Sequence, residues 1–434
     1  MRTLLVATLG VALILGCSPP GTNTTTTKKT AGETEKPAVD PKKPIFETYA
    51  EGLAYIANSG EDTLSTYDLK TLDAVPGTIK TGHEPGNIAR DPKNLLYFPA
   101  RYMDSDAISK STPEGGIEDS FRSGSLWAIN PMLGNSIQQK GIIGDADDKP
   151  DAVFVAVSND GVWVAIADQS VNKIVIKHQT DDERKRSLEF VTGPGPAAMA
   201  FSPDGKFLAV VCNDPAGTTD PDNVHIYDFL GNDSGPVEIA KIPVGDRPSQ
   251  VAAAPDNVTF YVTVTGSQKV VAVNAKTKGA AGEWTVEGAP RGILSDPTGA
   301  NYYVTLEDTN RVIRLDPATG ATTNSVEVGK EPWMMAIDTH NGRLWVTNHG
   351  DDSVSVISLG DFSLEKTIPT GKLPTGVAIV LNPTGAPVPA PETPVVETAG
   401  AVSTEAAPAP IENSAVQVDS GATDASGDVA DDAH

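Results

Sequence analysis

The chain has 434 residues, enough for one large domain with flanking segments or for two smaller domains. Its formal charge is −24, from 33 basic and 57 acidic residues, and a protein that neutralises phosphates needs Lys and Arg in excess, so nucleic acid is excluded as the main partner. With 40 Gly, 34 Pro and few aromatic residues, the composition is that of a turn-rich β-protein or a partly disordered chain.

Residues 1–17 (MRTLLVATLGVALILGC) hold one positive charge and a twelve-residue apolar run from Leu4 to Leu15. That run is too short to span a bilayer and predicts an export signal. Ile14-Leu15-Gly16-Cys17 resembles the lipobox of bacterial lipoproteins. The resemblance implies cleavage before Cys17, lipid on its thiol and new N-terminus, and a membrane anchor in the cell envelope, at the outer membrane or cell surface. The alternative is an ordinary secretory signal that happens to contain a cysteine. In a lipoprotein Cys212 is the one remaining thiol and no intramolecular disulfide forms. Its apolar setting, FLAVVCN, predicts a buried, inert side chain.

Residues 18–44, rich in Thr, Pro and Lys, lack the large apolar side chains a core requires and predict a flexible tether. Residues 383–434 have nine acids, no Lys or Arg, and mostly Pro, Ala, Ser and Thr, which predicts a disordered, self-repelling tail. The residues between, 45–382, hold −18 of the charge and are acidic in their own right.

Residues 45–382 contain an internal repeat. LAYIANSGEDTLSTYD (Leu53 to Asp68) is followed by LLYFPAR, GVWVAIADQSVNKIVI, KFLAVVCND, TFYVTVTGSQKVVAVN, NYYVTLEDTNRVIRLD and RLWVTNHGDDSVSVIS. With Tyr55, Tyr97, Trp163, Ala209, Tyr261, Tyr303 and Trp345 as equivalents, the spacings are 42, 66, 46, 52, 42 and 42 residues. That is a constant unit with loop insertions. A proline-led apolar run comes before each copy, as in GDRPSQVAAAPDN and GKEPWMMAIDTHNG. Each unit thus reads as four short strands, and the whole as an all-β, seven-bladed β-propeller. The last proline-led run, GVAIVL (Gly376 to Leu381), lacks a following copy. It is expected to join the N-terminal blade and so remove both exposed edges.

Tyr261-Val262-Thr263, Tyr303-Val304-Thr305 and Trp345-Val346-Thr347-Asn348, with the turn Ser202-Pro203-Asp204-Gly205, resemble the YVTN family of β-propeller repeats. The resemblance implies the fold and an exported or surface protein, and leaves the activity open. Similar scaffolds include lactonases and, more distantly, the propellers of haem- and quinone-dependent oxidoreductases.

The longest insertions, residues 102–124 and 214–223, fall on one face, which makes it the candidate functional surface. The proline-led turns of that face bring His83, Lys149, Arg247, Arg291, Lys330, Glu331, Trp333 and Lys372 to the channel mouth. Converging cations would concentrate a small anionic ligand there; salt bridges between blades are the plainer alternative. His83 as general base with Arg291 or Arg247 as oxyanion stabiliser would suffice to hydrolyse a lactone.

No nucleophile elbow, zinc-protease, P-loop, dinucleotide or haem-attachment motif is present, so no catalytic residue, metal or cofactor is assigned. His349, Asp351 and Asp352 form a possible ligand set, but they align with Ser59, Glu61 and Asp62 of the first copy and read as a polar turn. Three functions follow: a tethered scaffold that binds a protein or a small anion on this face, a lactonase-like hydrolase, or an accessory subunit of an exported electron-transfer enzyme.

Overall fold

The computed structural model describes residues 45–101, 125–133, 135–142, 151–179, 187–214, 222–229 and 235–383. Cys17, Lys149, the tether, the tail and most of both long insertions lie outside the described residues. The described residues form seven four-stranded antiparallel sheets, the blades of a β-propeller. We number the blades 1 to 7 from the sheet that contains Gly52–Asn58.

The proline-led runs are the innermost strands. Pro196–Phe201, Pro248–Ala253, Pro290–Ser295, Pro332–Asp338 and Pro374–Leu381 each open on the proline itself. A proline has no N–H to give a ladder, so the first residue of a strand is where it fits. The acidic turns that follow are fixed by their own backbone. Asp91, Asp204, Asp256, Asp296 and Asp338 each accept the N–H two residues on, from Lys93, Lys206, Val258, Thr298 and His340.

Four of the repeat's large aromatic side chains lie on the second strands opposite alanines of the inner ones, whereas Tyr303 lies opposite Leu294. Tyr55 pairs with Ala378, Tyr97 with Ala89, Tyr261 with Ala252 and Trp345 with Ala336. In those four blades the small inner residue leaves room for the ring beside it as the blades converge on the axis. In blade 3 the residue opposite the corresponding alanine, Ala156, is Ala165, and Trp163 opens its strand. The repeat position in that blade is therefore Ala165, and the equivalence of Trp163 with Tyr55 is corrected. Trp163 instead packs edge-on against His178 and Phe229.

In blades 5 and 6 the threonine of the repeat joins blades, whereas Thr347 bonds only Met334 of its own blade. Thr263 Oγ1 accepts the Gln250 N–H at 3.0 Å and donates to the Arg291 carbonyl at 2.7 Å. Thr305 Oγ1 accepts from Gly292 N at 2.7 Å and donates to the Trp333 carbonyl at 3.0 Å. Each hydroxyl thus satisfies the irregular start of its own inner strand and grips the inner strand of the next blade.

Closure follows the expected route. Pro374–Leu381 pairs antiparallel with Gly52–Asn58, and every residue of the latter is buried. Among the described residues, no helix is long and apolar enough to cross a membrane.

Candidate functional site

The face that carries the turns between second and third strands opens into the central channel. There the first residue past each second strand is held in the same way. Ser59, Arg101, Gln169 and Asn213 donate their N–H to the carbonyls of Leu373, His83, Asp151 and Gly195. Thr265, Glu307 and His349 donate to those of Arg247, Ala289 and Glu331. Seven equivalent positions therefore ring the mouth, and all seven side chains are polar and different. The backbone bond recurs at all seven, whereas the side chains make different contacts: Thr265 Oγ1 donates to the Pro290 carbonyl and Ser59 Oγ to that of Leu373.

Just inside lies a second ring, the residues that follow each inner proline or its equivalent. Blades 2 to 4 place the small residues Gly86, Val153 and Ala197 there, whereas blades 6 and 7 place Arg291 and Trp333. The chamber has a volume of about 460 Å³, and Asn87, Gln250 and Met334 line both it and a further pocket of the channel. A side chain at Gly292 would run into the Trp333 carbonyl, so Arg291 and Trp333 stand on closely apposed backbones.

Trp333 organises the chamber wall. The Arg291 guanidinium lies 4.5 Å from its ring centroid, and the His349 imidazole stacks on it at 3.7 Å with the planes 5° apart. Burial lowers the pKa of His349, against the opposing pull of the Pro374 carbonyl, so the ring is neutral near pH 7. Its Nδ1 lies 3.3 Å from that carbonyl and must carry the proton, which leaves Nε2 as a lone pair. Burial also lowers the pKa of Arg291, an effect that nearby Glu307 opposes.

The candidate cations divide into two groups. Over blades 1 to 3 the charges are clasped: Arg101 sits 2.9 Å from both Glu84 and Asp151. His83 lies between Asp62, at 3.3 Å from Nδ1, and Glu84, at 3.4 Å from Nε2. The hydrogen bond to Asp62 raises the His83 pKa further than burial lowers it. His83 does not line the chamber; its neighbour Glu84 does. Over blades 5 to 7 the ion pairs of the candidate cations are loose, whereas Lys269 pairs tightly with Glu283 at 2.7 Å. Arg247 to Asp246 is 3.5 Å, Arg291 to Glu307 3.9 Å and Lys330 to Asp351 3.9 Å, all beyond good hydrogen-bonding length.

The candidate residues named from sequence therefore separate. Arg291 and Trp333 line the channel chamber. Arg247, Lys330 and Glu331 line a second cavity beside it, which Arg291 shares. Lys372 is exposed, and its carbonyl accepts the Gly60 N–H. Lys149 lies outside the described residues. Arg101 and His349, neither among the residues expected at the mouth, occupy a column that varies within an otherwise regular repeat, and that variation is the sequence signal for both. Among the described residues no cluster of three His, Cys, Asp or Glu side chains is placed to hold a metal ion.

No protein-family model matches the sequence, and no curated protein matches it. Solved structures share its fold. The Pseudomonas aeruginosa periplasmic gluconolactonase is 16% identical with a TM-score of 0.56, over 76% of this chain and 99% of that one. A candidate 6-phosphogluconolactonase of Bacteroides uniformis is 15% identical with a TM-score of 0.58, over 76% and 100%. A chain of the Kuenenia stuttgartiensis hydrazine synthase is 18% identical with a TM-score of 0.56, over 78% and 99%. The neighbours thus include lactonases and enzyme-associated propellers, and at these identities the likeness shows the fold alone.

Proposed function

We propose that this chain is a binding propeller whose channel mouth takes a small, hydroxyl-rich acid of the sugar-acid class. The observation that carries it is the ring of seven equivalent positions, every one a hydrogen-bonding side chain, beside Arg291 on the chamber wall. Hydroxyl groups need donors and acceptors at close spacing, which Ser59, Gln169 and Asn213 supply, and the acid needs a cation that is not already engaged. Arg291 is that cation, since its nearest carboxylate is 3.9 Å away. Two structural neighbours are named for gluconolactone chemistry, which agrees with this ligand class. Titration of the protein with gluconate by calorimetry tests the reading. Binding that Arg291→Ala weakens at least about tenfold is expected, and absence of heat and of any melting shift with sugar acids would overturn it.

A second reading, a lactonase-like hydrolase, is favoured by His349. A neutral imidazole with a free Nε2 can take a proton from water as it attacks a lactone carbonyl, while Arg291 stabilises the oxyanion. In this reading His349, and not His83, is the general base, since both nitrogens of His83 face carboxylates. Hydrolysis of gluconolactone above the spontaneous rate should vanish in His349→Ala and persist in His83→Ala. Equal rates with and without wild-type protein would remove this reading and leave the binding one.

The proposal includes export and tethering through a lipid on Cys17, and descent from YVTN-type repeats. The lipobox-like Ile14-Leu15-Gly16-Cys17 and the Tyr/Trp-Val-Thr copies support these two points. Mass spectrometry of the mature N-terminus tests the first; an unmodified Cys17 in membrane fractions would rule it out.

A further inference from the structure

Beside the channel chamber lies a second cavity of the same volume, about 460 Å³, on the same face over blades 5 to 7. The two share a wall made by Asn213, Ser249 and Arg291. Their chemistry differs. In the channel chamber Arg101 is taken up by Glu84 and Asp151, so Arg291 is the lining cation whose paired carboxylate stays at 3.9 Å. In the side cavity the bases Arg247, Arg291 and Lys330 are matched by the acids Glu307, Asp308 and Glu331.

That balanced wall has no reason to attract a second anion, but it presents many donors and acceptors to a neutral polyol. The loose ion pairs bear on the same point. Where Arg101 is spent on two 2.9 Å contacts, the Arg247 guanidinium and the Lys330 ammonium have their paired carboxylates at 3.5 and 3.9 Å, and it is the backbone N–H of Arg247 that Asp222 holds, at 2.7 Å. Some anchor atoms here serve the scaffold instead: Asp308 Oδ1 accepts the Ala289 N–H and Asn310 Oδ1 that of Glu331.

We infer that the side cavity is a second subsite, and that the ligand is an acid-bearing disaccharide. Its acidic unit lies against Arg291 in the channel chamber, and its neutral sugar unit lies in the side cavity between Arg247 and Lys330. This rests on the reading of the channel mouth as a sugar-acid site. Arg291, on the shared wall, stands at the junction of the two units.

Calorimetric titration of the full chain with gluconate and with lactobionate, a galactose linked to gluconic acid, tests the inference. Lactobionate is expected to bind at least about tenfold more tightly. In Lys330→Ala and Arg247→Ala, which truncate exposed side chains and keep the backbone bonds of both positions, the ratio of the two affinities should fall toward one. Equal affinities in the wild type, or a ratio that survives both substitutions, would overturn the second subsite while the sugar-acid reading stands. Failure of both compounds to bind would remove the sugar-acid reading, and this inference with it.

Discussion

His83 and His349 sit on the same face, yet their surroundings push them in opposite directions. The hydrogen bond from His83 to Asp62 raises its pKa, so the folded protein binds that proton more tightly than the unfolded chain does. The stabilisation is then full below about pH 6.5, the ordinary histidine value, and fades as pH rises through the higher folded value. Burial lowers the pKa of His349, so its neutral form is favoured and stability is lost as pH falls from the ordinary value through the lower folded one. Thermal melts at pH 5.5 and 8.5 should separate the two. His83→Gln should lower the melting temperature at pH 5.5 and have little effect at 8.5. His349→Gln should relieve the acid-side loss, so it compares best with wild type at pH 5.5. The same sign of pH dependence in both variants would contradict the assigned contacts.

Within a blade, the repeat's threonine links fold and site. Thr305 holds the Gly292 N–H and the Trp333 carbonyl, one on each side of the Arg291–Trp333 stack. Thr305→Val keeps the shape but strands both backbone groups in a buried place, at a cost of about 1–3 kcal/mol. Calorimetric unfolding should show that loss, and gluconate binding should weaken with it. Destabilisation with unchanged binding would mean that the hydroxyl holds the blades together without positioning the site. Trp345→Ala, at a fully buried ring, should cost about 3–5 kcal/mol and leave binding alone. The contrast shows what was legible in the sequence. Tyr, Val, Thr and the inner proline recur because backbone geometry demands them, so blade count and strand order could be read directly. The mouth residues Ser59, Arg101, Gln169, Asn213, Thr265, Glu307 and His349 share only a backbone hydrogen bond, and their side chains follow no pattern. His349 was set aside because the scaffold does not require it, and that freedom is what lets it carry chemistry. Blade 3 was misread for a related reason: the conspicuous Trp163 drew the alignment, whereas the repeat position there is a plain alanine.

For the molecule as a whole, stability depends on the ring being closed. Gly52–Asn58 is buried along its full length, and one of its two neighbours is Pro374–Leu381, over three hundred residues away in sequence. Thr375 strengthens the joint through its hydroxyl, which donates to the Pro85 carbonyl at 2.9 Å, and Asn382 reaches back to the Ala50 carbonyl at 2.7 Å. Without the closing strand, Gly52–Asn58 would present a bare ladder edge and the apolar faces of Tyr55, Ala57 and Leu53 to water. The same strand also supplies Thr375 to the chamber and the Pro374 carbonyl to His349, so closure and site are one construction. A chain ended at residue 373 should therefore lose its cooperative melt and collect in the insoluble fraction. A chain ended at residue 383 should melt with the full-length protein, because the closing strand is intact. If the shorter chain still melted sharply and bound gluconate, the ring would not need its terminal strand, and the buried edge at Gly52–Asn58 would have to be covered by other means.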